Sequence, residues 1–348
     1  MTMLAGRLNA EAGTFEMKQV PVPEPGPGEV RIRVRAAGVC LSDVHLIDGS
    51  LKPAFPSGEE VTLGHEVAGE IDVVGPDVPD TWQPGARVTL AAGERCGVCP
   101  QCTRFREPCL AVRTRGVDYD GGWAEYATAT HHTLVAIPDS LPFEQAAIVP
   151  DAVSTPWGAV AGTGRAEPGR PAGVWGVGGL GAHAVQLLRL LGAAPIVAVD
   201  PLESARGRAL EFGADFAFDP ADPEFGDKVL AATGGNGLDV AYDMAGVAAV
   251  RGQALKTLAR KGRLVLVGLT PEPLAVKNSI ALSVRGLQVL GHYGSASGDV
   301  ERLIDLTRHG RLDLSRSISG TMPLAEAPAA VRALTDKTGD PIRLILVP

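Results

Sequence analysis

Aromatic side chains are scarce in this chain: Phe, Trp and Tyr make up 5% of its 348 residues. That excludes a core built on stacked rings, so Val, Leu, Ile and Ala must fill the interior. Long apolar runs are also missing. The most apolar region, 172–199, is broken by Arg189 and several glycines, which reads as strand, turn, helix and strand rather than a membrane span. There is no block of five or more like charges. Acids outnumber bases by 40 to 32, giving a formal net charge of −8 and a pI near 5.4. Nucleic acids and anionic bilayers need a basic face, so neither is expected as a partner. Met1–Phe15 lacks the basic start and apolar run of a signal peptide, and the expected location is the cytoplasm. Cysteine is rare too, at five residues, which in a large acidic chain excludes a disulfide scaffold.

Four of those five, Cys96, Cys99, Cys102 and Cys109, fall within 14 residues. Four thiolates closing around one ion are what a structural zinc requires. Such a site has no open position, so it holds shape and does no chemistry. A redox Cys-x-x-Cys is the alternative, but no surrounding βαβ pattern supports it.

Glycine (43) and proline (27) are plentiful, so tight turns should be many, and the length suits about two domains. Residues 1–37 read as short strands. The run 29–36 alternates charged and apolar residues with period two, as a half-buried strand does. Gly38-Val39-Cys40-Leu41-Ser42-Asp43-Val44-His45 then places three chemically capable side chains within six positions. They are either catalytic or simply a buried cysteine and a helix N-cap serine. Gly64-His65-Glu66 leads into another strand-like run ending at Gly75, and His65 alone is either a metal ligand or a structural histidine. Strands are expected near 86–90, 121–127 and 133–138, with His131 and His132 between them solvent-facing or structural. A helix interrupted by Pro150 and Pro156 is expected over 143–165.

From Gly173 the pattern becomes alternating β and α. A strand runs into Gly176-Val177-Gly178-Gly179-Leu180-Gly181, a helix follows, and the strand 196–199 ends in Asp200. Strand, Gly-x-Gly-x-x-Gly, helix, strand and acid form the dinucleotide fingerprint in its required order. Its glycines let a pyrophosphate approach the backbone at a helix N-terminus. Asp200 can accept from both ribose hydroxyls of NAD and would repel a 2′-phosphate, so NAD is the expected cofactor. Further strands near 216–218, 238–242, 263–267 and 287–290 bring the count to six, as a doubly wound sheet needs. Helices are expected over 225–232, 247–260 and 300–308, and a final strand over 342–347. His183, inside the first helix of this region, reads as core.

Over essentially its whole length the chain resembles the zinc-dependent medium-chain alcohol dehydrogenases. The carrying motifs are Gly64-His65-Glu66 with Gly69 and Gly75, Cys40-x-Ser42-Asp43-x-His45, the four-cysteine lobe, and the glycine loop with Asp200. The resemblance implies a GroES-like, mostly β catalytic domain at 1–152, rejoined by 293–348, and a Rossmann coenzyme domain at 153–292. It implies two zinc ions per chain. Cys40, His65 and Asp151 would hold the catalytic one, with Asp151 in a place the family fills with Cys or Asp, as bacterial secondary-alcohol dehydrogenases do. It makes Asp43 the carboxylate that orients His65, Glu66 a neighbour of the zinc, and Ser42 with His45 the proton relay. Thr155, Leu180, Val267 and Leu269 align with nicotinamide contacts, and Ala92 and Trp123 with walls of the substrate pocket. The implied reaction interconverts an alcohol, secondary and bulky or cyclic, and its carbonyl compound. The implied assembly is a homo-oligomer, a tetramer before a dimer. Alternatives are a polyol dehydrogenase, a zinc-free quinone or enone reductase of the same fold, and an NAD-binding structural protein with a decayed site.

The sequence departs from the family pattern in four places. The Cys102–Cys109 interval is one residue short. The basic residue usual five positions after the ribose acid is Ala205, with Arg206 and Arg208 nearby. A usual Gly-Ser is Gly291-His292-Tyr293, leaving His292 without a role. His183 is displaced by one position from its common place.

Overall fold

The computed structural model describes residues 1–105, 109–276 and 279–348. The chain divides into two compact units, Met1–Ala152 with Ala296–Pro348, and Val153–Ser295.

The first unit is mostly antiparallel β. Its seven-stranded sheet is organised on the strand Glu29–Val39, which pairs with Val67–Val74, Tyr126–Thr130 and the C-terminal Arg343–Val347. The period-two pattern explains the packing: Val30, Ile32 and Val34 are buried, while Arg33 and Arg35 point to solvent. Beyond Ala36 both faces are covered, and the strand delivers Cys40 into the interior. The main core gathers Leu8, Ile32, Ile71, Leu90 and Trp123, and the returning segment adds Leu324, Leu334 and Leu346. Burying an aliphatic side chain of this size contributes about 1.5–3 kcal/mol, so the C-terminal segment is part of this unit's stability.

The second unit is a six-stranded parallel sheet. Numbered in chain order within the unit, its strands lie 3-2-1-4-5-6 across the sheet, the doubly wound order expected of the dinucleotide fingerprint. Trp175, Val197, Phe225, Leu238 and Leu264 anchor its core.

Several elements differ from expectation. Residues 143–165 are not one interrupted helix. The helix Phe143–Ala147 passes into a widened π-type turn, Val149–Val153, then Ser154–Trp157, then a second widened segment, Gly158–Thr163. Pro150 and Pro156 lack the N–H that an α ladder needs, and insertion of a residue per turn accommodates them. The helix expected to 260 stops at Thr257, where the strand Leu258–Leu266 begins. Helices Glu203–Glu211, Ser279–Arg285 and Ala327–Thr335 and the strand Ile318–Pro323 were absent from the sequence reading. Among the described residues no helix is long and apolar enough to cross a membrane.

Candidate active site

The strand Glu29–Val39 ends where the helix Leu41–Ile47 begins, and Cys40, not Ser42, occupies the N-cap. Asp43 closes this first turn by accepting from the Cys40 amide at 2.9 Å. Cys40 is thereby fixed with its sulfur 3.1 Å from Ser42 Oγ. His65 arrives from the adjoining segment through Gly64, whose φ is +94°. A Cβ on Gly64 would lie 2.3 Å from Cδ1 of Trp123, so both the left-handed turn and the close packing require glycine. Asp151 arrives on the first widened turn.

These three meet. Asp151 Oδ2 lies 3.5 Å from Cys40 Sγ and 3.4 Å from His65 Nε2. A ligand atom from each of Cys40, His65, Glu66 and Asp151 falls within 4.8 Å of the others. Zinc bonds of about 2.0–2.3 Å set tetrahedral edges of about 3.3–3.8 Å, and the two edges from Asp151 fall in that range. The opposite nitrogen of His65 faces Asp43 Oδ1 at 3.5 Å, the carboxylate–imidazole arrangement that orients a ligating ring. Burial pulls the His65 pKa down, but the carboxylates of Asp43 and Asp151 outweigh it and hold it well above the usual value. Burial raises Glu66 to about 7 despite the opposing pull of Arg343. This is a pocket of buried acid, thiol and imidazole that favours a bound cation.

Arg343 was missed by sequence reasoning. It is 3% exposed and lies 3.0 Å from Glu66 Oε1 and 3.6 Å from Asp151 Oδ2. Its strand pairs Leu344 with Val39, which brings the guanidinium beside Cys40. A lone charge inside the apolar run Ile342–Val347 was the available signal. Glu66 also accepts from the Ala152 amide at 3.1 Å, tying it to the residue after Asp151. Gly38 makes room for this carboxylate, since a Cβ there would sit 1.9 Å from Glu66 Oε2.

Ser42 is half-buried, and His45, one helical turn on, has a side chain 39% exposed. Ala92 is half-buried. Trp123 is fully buried, packs against Phe15 and donates its indole N–H to Gly38 O at 2.9 Å. No surface is left for a substrate, so its place is in the core and not on a pocket wall.

In the cysteine lobe, Sγ–Sγ separations of 3.4, 3.5 and 3.9 Å connect all four thiols. Backbone amides of Cys96 and Ala111 donate to Cys109 Sγ, and that of Cys99 donates to Cys96 Sγ. Such donors favour thiolates: the Leu110 and Cys102 amides lower Cys99 to about 6, while burial pushes Cys102 up to about 11. All four thiols lie within 4.8 Å of one another despite the shortened interval before Cys109.

In the second unit the loop Gly176–Gly181 joins the strand Ala172–Trp175 to the helix Gly181–Leu190. Gly178 faces open space, whereas Gly181 packs onto Gly176 O. Leu180 is half-buried at the N-cap of that helix and Gly179 is half-buried beside it. Asp200 accepts from the Val177 amide at 2.8 Å and the Leu202 amide at 2.9 Å, one per oxygen, which leaves lone pairs for hydroxyl donors. Arg208 Nη1 donates to Val177 O at 2.6 Å and Arg206 Nη1 to Asp200 O at 2.8 Å, while Ala205 is buried. The two arginines therefore brace the loop and its acid. Val267 is buried and Leu269 is 49% exposed, both just beyond the strand Leu258–Leu266. His183 is buried and donates from Nδ1 to Gly179 O at 2.7 Å.

His292 has a structural place. Its Nε2 lies 3.0 Å from Thr155 O and 2.8 Å from Gly294 O, and its Nδ1 lies 2.9 Å from Thr163 Oγ1. Two carbonyls require Nε2–H, so Nδ1 accepts from the threonine. The ring thus holds Thr155 and the end of the second widened segment in place. His131 bonds Gly28 O at 3.0 Å, and its ring lies 3.8 Å from that of His132, tilted by 43°.

Residues 26–139 match the model of the alcohol dehydrogenase GroES-like domain, and 179–309 that of the zinc-binding dehydrogenases. An NDMA-dependent alcohol dehydrogenase of Amycolatopsis methanolica is 33% identical, over 97% of this chain and 96% of its own. An L-threonine 3-dehydrogenase of Pyrococcus furiosus is 31% identical over 74% of each chain. A crystal structure described as a zinc-binding dehydrogenase from Sinorhizobium meliloti bound to NADP superposes with a TM-score of 0.89, at 31% identity and full coverage of both chains.

Proposed function

Since the chain belongs to the zinc-type medium-chain alcohol dehydrogenase family, we propose that it interconverts an alcohol, secondary and bulky or cyclic, and its carbonyl compound using NAD. The observation that carries this reading is the meeting of Cys40, His65 and Asp151 in a buried, acid-rich pocket, with Asp151 at 3.5 and 3.4 Å from the other two. These three residues would hold a catalytic zinc, and the four lobe cysteines a structural one. When bound, zinc supplies Lewis acidity toward the substrate oxygen at its open position, and NAD supplies the hydride acceptor.

The chain's own groups do the rest. Asp43 fixes the His65 ring, and Arg343 balances the charge of Glu66 and Asp151. Ser42 would take the hydroxyl proton, and His45, three residues on along the same helix face and reaching solvent, would release it. The glycine loop would seat the pyrophosphate, and Asp200 the ribose hydroxyls. The NADP in the Sinorhizobium structure favours the opposite cofactor, whereas a buried carboxylate at Asp200 speaks for NAD. The similarity to L-threonine 3-dehydrogenases, whose named substrate carries a secondary hydroxyl, supports the substrate class.

Asp151→Ala tests the ligand set. It should lower zinc content from two ions per chain to one and lower kcat by more than about a thousandfold, with NAD affinity kept. Full activity with both zincs retained would refute the assignment. Cofactor choice is read from kcat/KM: a preference for NADP of about tenfold, 1.4 kcal/mol, overturns the role of Asp200.

A further inference from the structure

A buried ion pair in the second unit has no part in the reaction as described so far. Asp243, the last residue of the strand Leu238–Asp243, is fully buried, and Arg251, on the helix Ala248–Thr257, is 6% exposed. Arg251 Nε donates to Asp243 Oδ2 at 2.8 Å. We propose that the two are positioning residues for the nicotinamide half of the coenzyme. They lie beneath that half and fix the two loop segments that would receive it. The inference rests on the NAD reading above.

The oxygens of Asp243 hold both segments. Its Oδ1 accepts from the amides of Ala245 at 3.2 Å and Gly246 at 2.9 Å. Its backbone oxygen accepts from the amides of Val267 at 3.0 Å and Gly268 at 2.8 Å. Arg251 spans the two, since its Nη2 lies 3.5 Å from Gly268 O. The segments also touch backbone to backbone. A Cβ on Gly268 would lie 2.2 Å from Gly246 N, and one on Gly246, whose φ is +67°, would lie 2.7 Å from Leu269 O. On the other side a Cβ on Gly176 would lie 2.9 Å from that of Ala245, so the same assembly abuts the glycine loop.

A doubly wound sheet binds a dinucleotide outside the carboxyl ends of its strands, with one mononucleotide on each half. Strands one to three, with the glycine loop and Asp200, form the adenosine half. Segments 245–246 and 267–269 follow strands four and five and fall to the other half, where Leu269 presents an apolar side chain that is 49% exposed. Stability alone does not account for the pair. A buried ion pair is often no more stabilising than apolar residues of the same volume. Arg251 also stands in the first turn of its helix, where a cation opposes the helix dipole. What the pair supplies is order: the loops after two neighbouring strands are tied to one carboxylate.

The experiment is calorimetric titration of the zinc-loaded protein with NADH and, separately, with ADP, which keeps the adenosine and phosphates but lacks the second nucleoside. Arg251→Met should weaken NADH by at least about tenfold, the range for loss of a charge-assisted hydrogen bond, and ADP by less than about twofold. Arg251→Lys keeps the cation and Asp243→Asn keeps an acceptor for the loop amides. Each should weaken NADH by about threefold to tenfold, again with ADP affinity kept. These two variants decide if Arg251→Met does not fold. A fall in Tm with unchanged NADH affinity, or equal weakening of NADH and ADP, overturns the proposal and leaves the NAD reading standing. Failure of the wild-type protein to bind NADH overturns that reading, and the proposal with it.

Discussion

Two ligand clusters in the same unit are built on opposite plans. The cysteine lobe takes four identical side chains from one short stretch, and all four are partly exposed. The proposed catalytic cluster takes three different side chains from positions 40, 65 and 151, and Cys40 and His65 are buried. The lobe needs almost nothing from the rest of the fold. The catalytic cluster needs a strand end, a left-handed glycine and a widened helical turn to be in place together. A closed set of four thiolates saturates a zinc, whereas three mixed ligands leave a position for substrate. In the proposed function, local assembly goes with a structural role, and long-range assembly with chemistry.

The contrast can be broken in graded steps. The Asp151→Ala loss described above is the largest effect expected. Next is Ser42→Ala, which removes the acceptor beside Cys40 Sγ. It should lower kcat by about a hundredfold, the range for loss of a positioned acid–base group, with zinc content unchanged. A loss confined to KM would mean that Ser42 only binds substrate. Arg343→Met comes third for activity, at about tenfold, as for groups that orient metal ligands. Its stability cost is large, about 3–5 kcal/mol by denaturant titration, because Glu66 and Asp151 lose their buried counter-charge. Unchanged stability would show that the carboxylates are already neutralised. Smallest for catalysis is Cys99→Ser, which should release the lobe zinc and lower Tm while kcat per folded chain changes less than about twofold. A collapse of kcat together with loss of the catalytic zinc would show that the lobe and the catalytic centre are coupled.

These differences also decided what could be read from the sequence. The lobe and the glycine loop were legible because their chemistry is local: spacing alone places the thiols, and the strand–loop–helix order places the glycines. The six-stranded parallel sheet followed from strand counting. The GroES-like unit and the proposal of Asp151 as a ligand came through family resemblance, since nothing near position 151 marks a ligand. Arg343 was hidden because its role depends on a C-terminal strand returning beside Val39, a pairing with no local signature. Trp123 was misplaced for a related reason. Alignment gave its position in the chain, but the contact with Gly64 and the hydrogen bond to Gly38 turn the ring inward. His292 gained a role only when the widened segment brought Thr155 and Thr163 to either side of its ring.

One feature of the lobe reaches beyond catalysis. Its base is a two-strand clasp in which Gly93 pairs with Thr114 and Glu94 with Arg113. Chain entry and exit are therefore neighbours, separated by about 5 Å as in any antiparallel pair. The intervening loop is topologically a detachable cassette. A two-residue hairpin turn would seal its excision without rethreading the surrounding sheet. Evolution and protein engineers thus meet a natural insertion point there, where whole modules can be exchanged while the surrounding sheet keeps its register.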